Sequence, residues 1–206
     1  MDIVEFAEPR AHILIKDFLT QDEQNILWDE IKENELKFEA GKYKKDGKDK
    51  VHEKMKKNLG FDVTRKYFMV DDSSIRSMFY HRVFQNESMI RILNNAKSPI
   101  YQILRFTTHD RTKVSAYGDG DFYDWHTDGT EQGLLTLLYM LCREPRKFSG
   151  GDFMLKWGEN ERTIPFENNT LLIFPRNTPH RVTEIKSKSD DFYDKRFTLQ
   201  CFANLK

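Results

Sequence analysis

The sequence predicts a mainly β domain with flanking helices (α+β), its second half folded as a jelly roll. Three observations carry this. From Pro99 on, short runs rich in β-branched and aromatic residues alternate with Gly, Pro, Asn and Asp. Residues 1–98 instead show helical spacing and one polar, Lys-rich stretch. The 206 residues, 38% of them hydrophobic and 13% aromatic, can bury a sizeable core and are too aromatic for a disordered chain. Residues 1–206 therefore read as a single domain, with 1–98 as helical support and 99–206 as the β core.

Each element has its own signal. His12-Ile13-Leu14-Ile15 reads as a short strand before a turn. Thr20-Gln21-Asp22-Glu23 has the form of a capping box, so a helix should run to about Glu35 with Ile26, Leu27 and Ile31 inward. Residues 41–57 are Lys-rich and carry two glycines. A solvated loop is the plain reading, and a lid or a basic patch facing substrate is the functional one. A second helix is expected over 73–94, where Ile75, Met78, Phe79, Val83, Ile90 and Leu93 recur at helical spacing. Strands follow at 100–107, 113–117, 121–126, 134–141, 151–157, 170–174, 180–186 and 197–204. Eight short strands of this kind close most simply as a jelly roll.

Composition excludes several classes. Lys+Arg and Asp+Glu are both 33, so no global basic field draws in nucleic acid. No apolar run of about 18 residues is present to span a membrane. The start, Met1-Asp2-Ile3-Val4-Glu5-Phe6, is acidic and does not read as a signal peptide. Cys142 and Cys201 sit in apolar runs and read as buried free thiols, with a disulfide as the alternative. A cytoplasmic location is the expectation.

The chemistry gathers in three places. His126 and Asp128 stand two apart, so on a strand both point to one face. Such a pair alone is often a surface hydrogen bond. His180 follows a turn bounded by Pro175 and Pro179, where a lone histidine more often serves structure. Two histidines and one carboxylate from separate strands, however, form the facial triad of non-haem Fe(II) oxygenases, which leaves part of the metal open. Arg196 opens an otherwise apolar strand and is suited to gripping a carboxylate with two parallel hydrogen bonds.

Together these residues resemble the Fe(II)/2-oxoglutarate-dependent dioxygenases, and most closely the prolyl 4-hydroxylase-like branch. The resemblance runs through Tyr117-Gly118-Asp119-Gly120, Tyr123, His126-Thr127-Asp128, Leu137-Leu138-Tyr139, Gly150-Gly151, the apolar strand ending at Pro175, His180 and Arg196. It spans roughly 113–204. It implies a double-stranded β-helix core, iron held by His126, Asp128 and His180, and the distal carboxylate of 2-oxoglutarate held by Arg196. Tyr139 would hydrogen-bond that same carboxylate and Tyr117 would line its pocket. Tyr123 and Arg176 are candidates for the substrate side, and Thr198 and Gln200 for further polar contacts. Lys195 and Arg181 are alternatives to Arg196.

The cofactors so implied are Fe(II), 2-oxoglutarate and O2, with ascorbate as accessory reductant. The partner implied is a protein or peptide carrying a prolyl residue; the sequence sets no oligomeric state. Three alternatives stand beside this: a jelly-roll metalloenzyme of other chemistry or a hydroxylase of a free amino acid or metabolite, a non-enzymatic binding module, and a nucleic-acid repair dioxygenase. Arg196 and Tyr139 argue against a metalloenzyme of other chemistry, the intact triad against the binding module, and zero net charge against the repair enzyme; a hydroxylase of a free amino acid or metabolite stays open.

Overall fold

The computed structural model describes residues 2–6, 11–40, 43–45, 48–50, 56–62, 78–128 and 133–205. The strands are β1 Asp2–Phe6, β2 His12–Lys16, β3 Glu39–Ala40, β4 Tyr43–Lys45, β5 Lys48–Lys50, β6 Lys56–Lys57, β7 Leu59–Asp62, β8 Thr107–Tyr117, β9 Phe122–His126 and β10 Gly133–Leu141. They continue with β11 Phe148–Gly150, β12 Phe153–Trp157, β13 Asn160–Ile164, β14 Thr170–Pro175, β15 His180–Val182, β16 Ile185–Ser187 and β17 Arg196–Leu205. The major sheet runs β1-β2-β14-β10-β17-β8-β7-β3 and the minor sheet β13-β12-β15-β9-β6.

Strand alternation gives the major sheet two different faces. Leu171 and Ile173 of β14, Leu135, Leu137 and Tyr139 of β10, and Phe197, Leu199 and Cys201 of β17 pack with the helical layer. Residues of the other parity, among them Leu172, Phe174, Leu138, Met140 and Tyr117, meet Phe153, Leu155 and Val182 of the minor sheet. The space between the sheets is thus apolar at its floor, and the candidate site opens into it.

The helical layer follows its sequence signals in part. Helix α1, Gln21–Glu33, starts at the expected capping box: Glu23 N donates to Thr20 Oγ1 (3.3 Å) and Thr20 N to Glu23 Oε2 (2.7 Å). Leu27 and Ile31 are buried, but Ile26 is 39% exposed, one position off the stripe that Leu27, Glu30 and Ile31 form. The expected continuous helix over 73–94 is broken. A π-helical turn, His81–Gln85, ends at Asn86, whose side chain accepts from Ser88 N and Met89 N and starts helix α2, Glu87–Asn94. The new start rotates Met89 inward and leaves Ile90 at the surface. Ile75 lies outside the described residues.

Three further expectations are corrected. The stretch 100–107 is helical: Pro99–Phe106 forms 3-10 turns that bury Tyr101 and Leu104. The stretch 41–57 is not a single loop, since β4 pairs with β5 and β6 with β9, its other residues lying outside those described. The stretch 180–186 divides into β15 and β16, which join different partners. Strands β1 and β13 carried no sequence signal. Both cysteines are buried and neither is in a disulfide. No described helix is long and apolar enough to cross a membrane.

Candidate metal centre

His126 ends β9, and His180 begins β15 directly opposite it. Between them the register slips, with His180↔His126 but Val182↔Tyr123, so two residues of β9, Asp124 and Trp125, oppose one of β15, Arg181. This bulge places Tyr123 and His126 on one face despite their odd spacing. Their rings stack 3.4 Å apart at 15°. His180 lies between Phe153 and Phe174, at ring separations of 5.2 and 4.9 Å.

Both histidines are fixed through Nδ1. His126 Nδ1 lies 2.7 Å from the Asp124 carbonyl, and His180 Nδ1 lies 2.9 Å from the Thr178 carbonyl. A carbonyl only accepts, so each Nδ1 carries the proton and each neutral ring keeps its lone pair on Nε2. Those two Nε2 atoms meet the carboxylate of Asp128, His126 at 3.8 Å from Oδ1 and His180 at 3.5 Å from Oδ2. One donor atom from each of the three residues lies within 4.8 Å of the other two. Two imidazole lone pairs and an ionised carboxylate, with no thiolate, suit a ferrous ion with further positions open. The residues present fit that ion.

Asp128 is itself held. Thr136 Oγ1 donates to its Oδ2 (2.8 Å), and Arg176 Nε donates to its main-chain carbonyl (3.1 Å). The Arg176 guanidinium lies 4.5 Å over the Phe202 ring. Arg176, expected at the substrate side, therefore supports the ligand's backbone.

Arg196 lies deeper on the inner face of the major sheet, beside Tyr117 in the β17–β8 register. It is buried; Nε donates to the Gly151 carbonyl (2.8 Å), while Nη1 and Nη2 have no partner among the described residues. Burial pulls its pKa down to about 10, so it remains charged at neutral pH. The next inner-face pair, Thr198 and Ser115, presents two buried hydroxyls that also lack partners. The buried amide of Asn58 lies against the Tyr117 phenol. Burial pushes the Tyr117 phenol up to about 12, so it stays protonated. Orphaned buried donors of this kind need a partner, and a carboxylate suits the guanidinium. The 2-oxoglutarate expectation passes this test.

Gly151 makes the Arg196 seat. Its φ is +71°, and a Cβ there would lie 2.7 Å from Arg196 Cδ and 2.3 Å from Ile185 Cδ1. Among the alternatives to Arg196, Arg181 lies over Trp125, at 4.9 Å from its ring.

Tyr139 is a correction. It has the parity of the helical face, packs 6.0 Å from Phe18 and donates its hydroxyl to Asn169 Oδ1 (2.9 Å). The inner-face residues of β10 are Thr136, Leu138 and Met140, with Met140 opposite Thr198. The sequence also missed Thr136, Ser115, Asn58 and the Asp124 carbonyl. Only the strand register identifies the first two.

Residues 112–204 match the family model described as the 2OG-Fe(II) oxygenase superfamily. Fe(II), 2-oxoglutarate and O2 are the cofactors that go with it, and the triad is consistent with them. An uncharacterized PKHD-type hydroxylase of Synechocystis is 29% identical over 101 residues, 42% of this chain and 33% of that protein. The match thus takes in about a third of that relative's length.

Solved structures share the fold at low identity. A Pseudomonas putida prolyl-4-hydroxylase superposes with a TM-score of 0.67 at 13% identity, covering 95% of this chain and 94% of its own. A Trichoplax adhaerens prolyl hydroxylase, in complex with a hypoxia inducible factor oxygen degradation domain peptide fragment, gives 0.69 at 16%, covering 95% and 84%. A viral collagen prolyl hydroxylase from Paramecium Bursaria Chlorella virus-1, in its 2OG complex, gives 0.59 at 15%, covering 95% and 96%. The likeness establishes the double-stranded β-helix core with its N-terminal helices.

Proposed function

We propose that the chain is an Fe(II)- and 2-oxoglutarate-dependent oxygenase that hydroxylates an unactivated C–H bond, with a prolyl residue of a protein or peptide as substrate. One observation carries the reading: the inner face presents both a His-Asp-His cluster and, deeper, a buried guanidinium whose Nη atoms have no partner among the described residues. A metal site of other chemistry explains the first and leaves the second without a use. The prolyl assignment rests on the family match and on the prolyl hydroxylases that share the fold; the peptide assignment leans on the neighbour solved with a peptide fragment.

His126, Asp128 and His180 would hold the iron, and Arg196 would hold the distal carboxylate of 2-oxoglutarate, with Thr198 and Ser115 on the adjoining inner-face rung. When bound, iron and cosubstrate supply the oxidant for hydroxylation, with succinate and CO2 as coproducts. The protein's part is geometric. The Asp124 and Thr178 carbonyls keep both Nε2 lone pairs aimed at the centre. Phe153 and Phe174 wall off His180 from water. Tyr123, stacked on His126, forms the wall on the substrate side. Residues 1–206 act as one domain in this reading, and the two buried thiols, neither in a disulfide, accord with a reducing cytoplasm.

The test is a panel of proline-containing peptides incubated with protein, Fe(II), 2-oxoglutarate and O2, read by mass spectrometry. A gain of one oxygen on proline, matched by succinate and abolished in His180→Ala, is the expected result. Oxygen on another residue would correct the substrate class. Succinate formation with no peptide modified would move the substrate to small molecules.

A further inference from the structure

We propose that Thr136 is a positioning residue for the metal centre: its hydroxyl holds Asp128 as a single-oxygen ligand and so keeps a metal position open. The inference rests on the metal-centre reading above.

Thr136 is fully buried on β10 and faces the site, one rung from Leu138. Its Oγ1 lies 2.8 Å from Asp128 Oδ2. The hydroxyl donates, so its proton is committed to Oδ2. One lone-pair direction of Oδ2 is then occupied. Oδ1, 3.8 Å from His126 Nε2, carries no such donor and stays available as the metal's oxygen. The main chain of Asp128 is held as well, because Arg176 Nε donates to the Asp128 main-chain carbonyl and Asp128 N donates to the Arg176 carbonyl (3.3 Å). Main chain and side chain of Asp128 are thus anchored to two strands of the major sheet, β10 and the end of β14. Without the hydroxyl, nothing on Oδ2 opposes bidentate binding, which would use up a coordination position. Outer hydrogen bonds of this kind typically govern about 10- to 100-fold in metal affinity.

The test uses the full chain freed of metal by chelation and titrated with Co(II), without cosubstrate, following its visible ligand-field bands. Thr136→Val keeps the shape and removes the hydroxyl; Thr136→Ser keeps the hydroxyl; Thr136→Ala serves where valine does not fold. The expected result is about 10- to 100-fold weaker Co(II) binding and altered bands in Thr136→Val or Thr136→Ala, with Thr136→Ser close to wild type. A purely structural role would shift the melting temperature and leave the bands alone. Wild-type affinity and bands in Thr136→Val, or equal losses in Thr136→Ser and Thr136→Val, would overturn the proposal. A wild type whose Co(II) binding is indifferent to His180→Ala would overturn the metal-centre reading itself, a pattern distinct from either.

Discussion

The two faces of β17 make different demands on the fold. Phe197, Leu199, Cys201 and Ala203 point to the helical layer and ask only for packing. Arg196 and Thr198, on the same strand with the same backbone ladder, point between the sheets and carry buried donors that no group among the described residues satisfies. Such groups cost free energy on burial, about 1–3 kcal/mol each and more for a charge. A fold retains them where a ligand completes them. The contrast locates the binding face without reference to any relative: one side of the sheet is finished by folding, and the other is finished by what binds there.

Substitutions sharpen that contrast, in descending size. Asp128→Ala or His180→Ala removes a ligand and should lower iron affinity by more than about 100-fold, beyond what outer hydrogen bonds control; titration of the metal-free protein checks this. Arg196→Met should weaken 2-oxoglutarate binding by about 10- to 100-fold, the worth of a charged hydrogen bond or more, as measured by calorimetry with Mn(II) in place of iron. Melting of the ligand-free variant should be unchanged or raised. The folded chain holds the Arg196 proton less tightly than the unfolded chain, so this charge opposes folding at neutral pH and its removal relieves that.

Gly151→Ala forces a Cβ onto Arg196 and Ile185 at a positive φ. It should cost about 1–3 kcal/mol in chemical denaturation and also weaken cosubstrate binding. Tyr139→Phe sits on the finished face. It should cost about 1 kcal/mol through loss of the Asn169 hydrogen bond and leave 2-oxoglutarate affinity unchanged. A loss of affinity there would return Tyr139 to the binding site. Least of all, affinity for 2-oxoglutarate should be flat from about pH 7 to 9, since arginine stays charged there, and should fall only as Arg196 loses its proton near about 10. A slope below that would assign the clamp to another group.

The difference between the faces also explains what the sequence could convey. The triad was legible because His126 and Asp128 are close in the chain and His180 follows a turn marked by two prolines. The capped start of α1 was legible because both halves of its hydrogen-bond exchange lie within four residues. Tyr139 was misread because residues 134–141 are apolar on both faces and show no alternation from which parity can be read. Ser115 and Asn58 are ordinary polar residues until the register sets them beside Thr198 and Tyr117. The stretch after Pro99 was read as a strand because a short apolar run is ambiguous by period. Ser98-Pro99 was the missed signal, since Pro suits the first turn of a helix. Asn86 was a second, a cap lying inside what looked like one continuous helix.

The most direct test of the central claim is spectroscopic. Fe(II) and 2-oxoglutarate are added anaerobically to the purified protein and the weak visible metal-to-ligand band is sought, with His126→Ala, Arg196→Ala and Tyr139→Phe in parallel. The account predicts a band that is lost in His126→Ala, weakened in Arg196→Ala and unchanged in Tyr139→Phe. Iron bound with no band, or a band indifferent to Arg196→Ala, would contradict it.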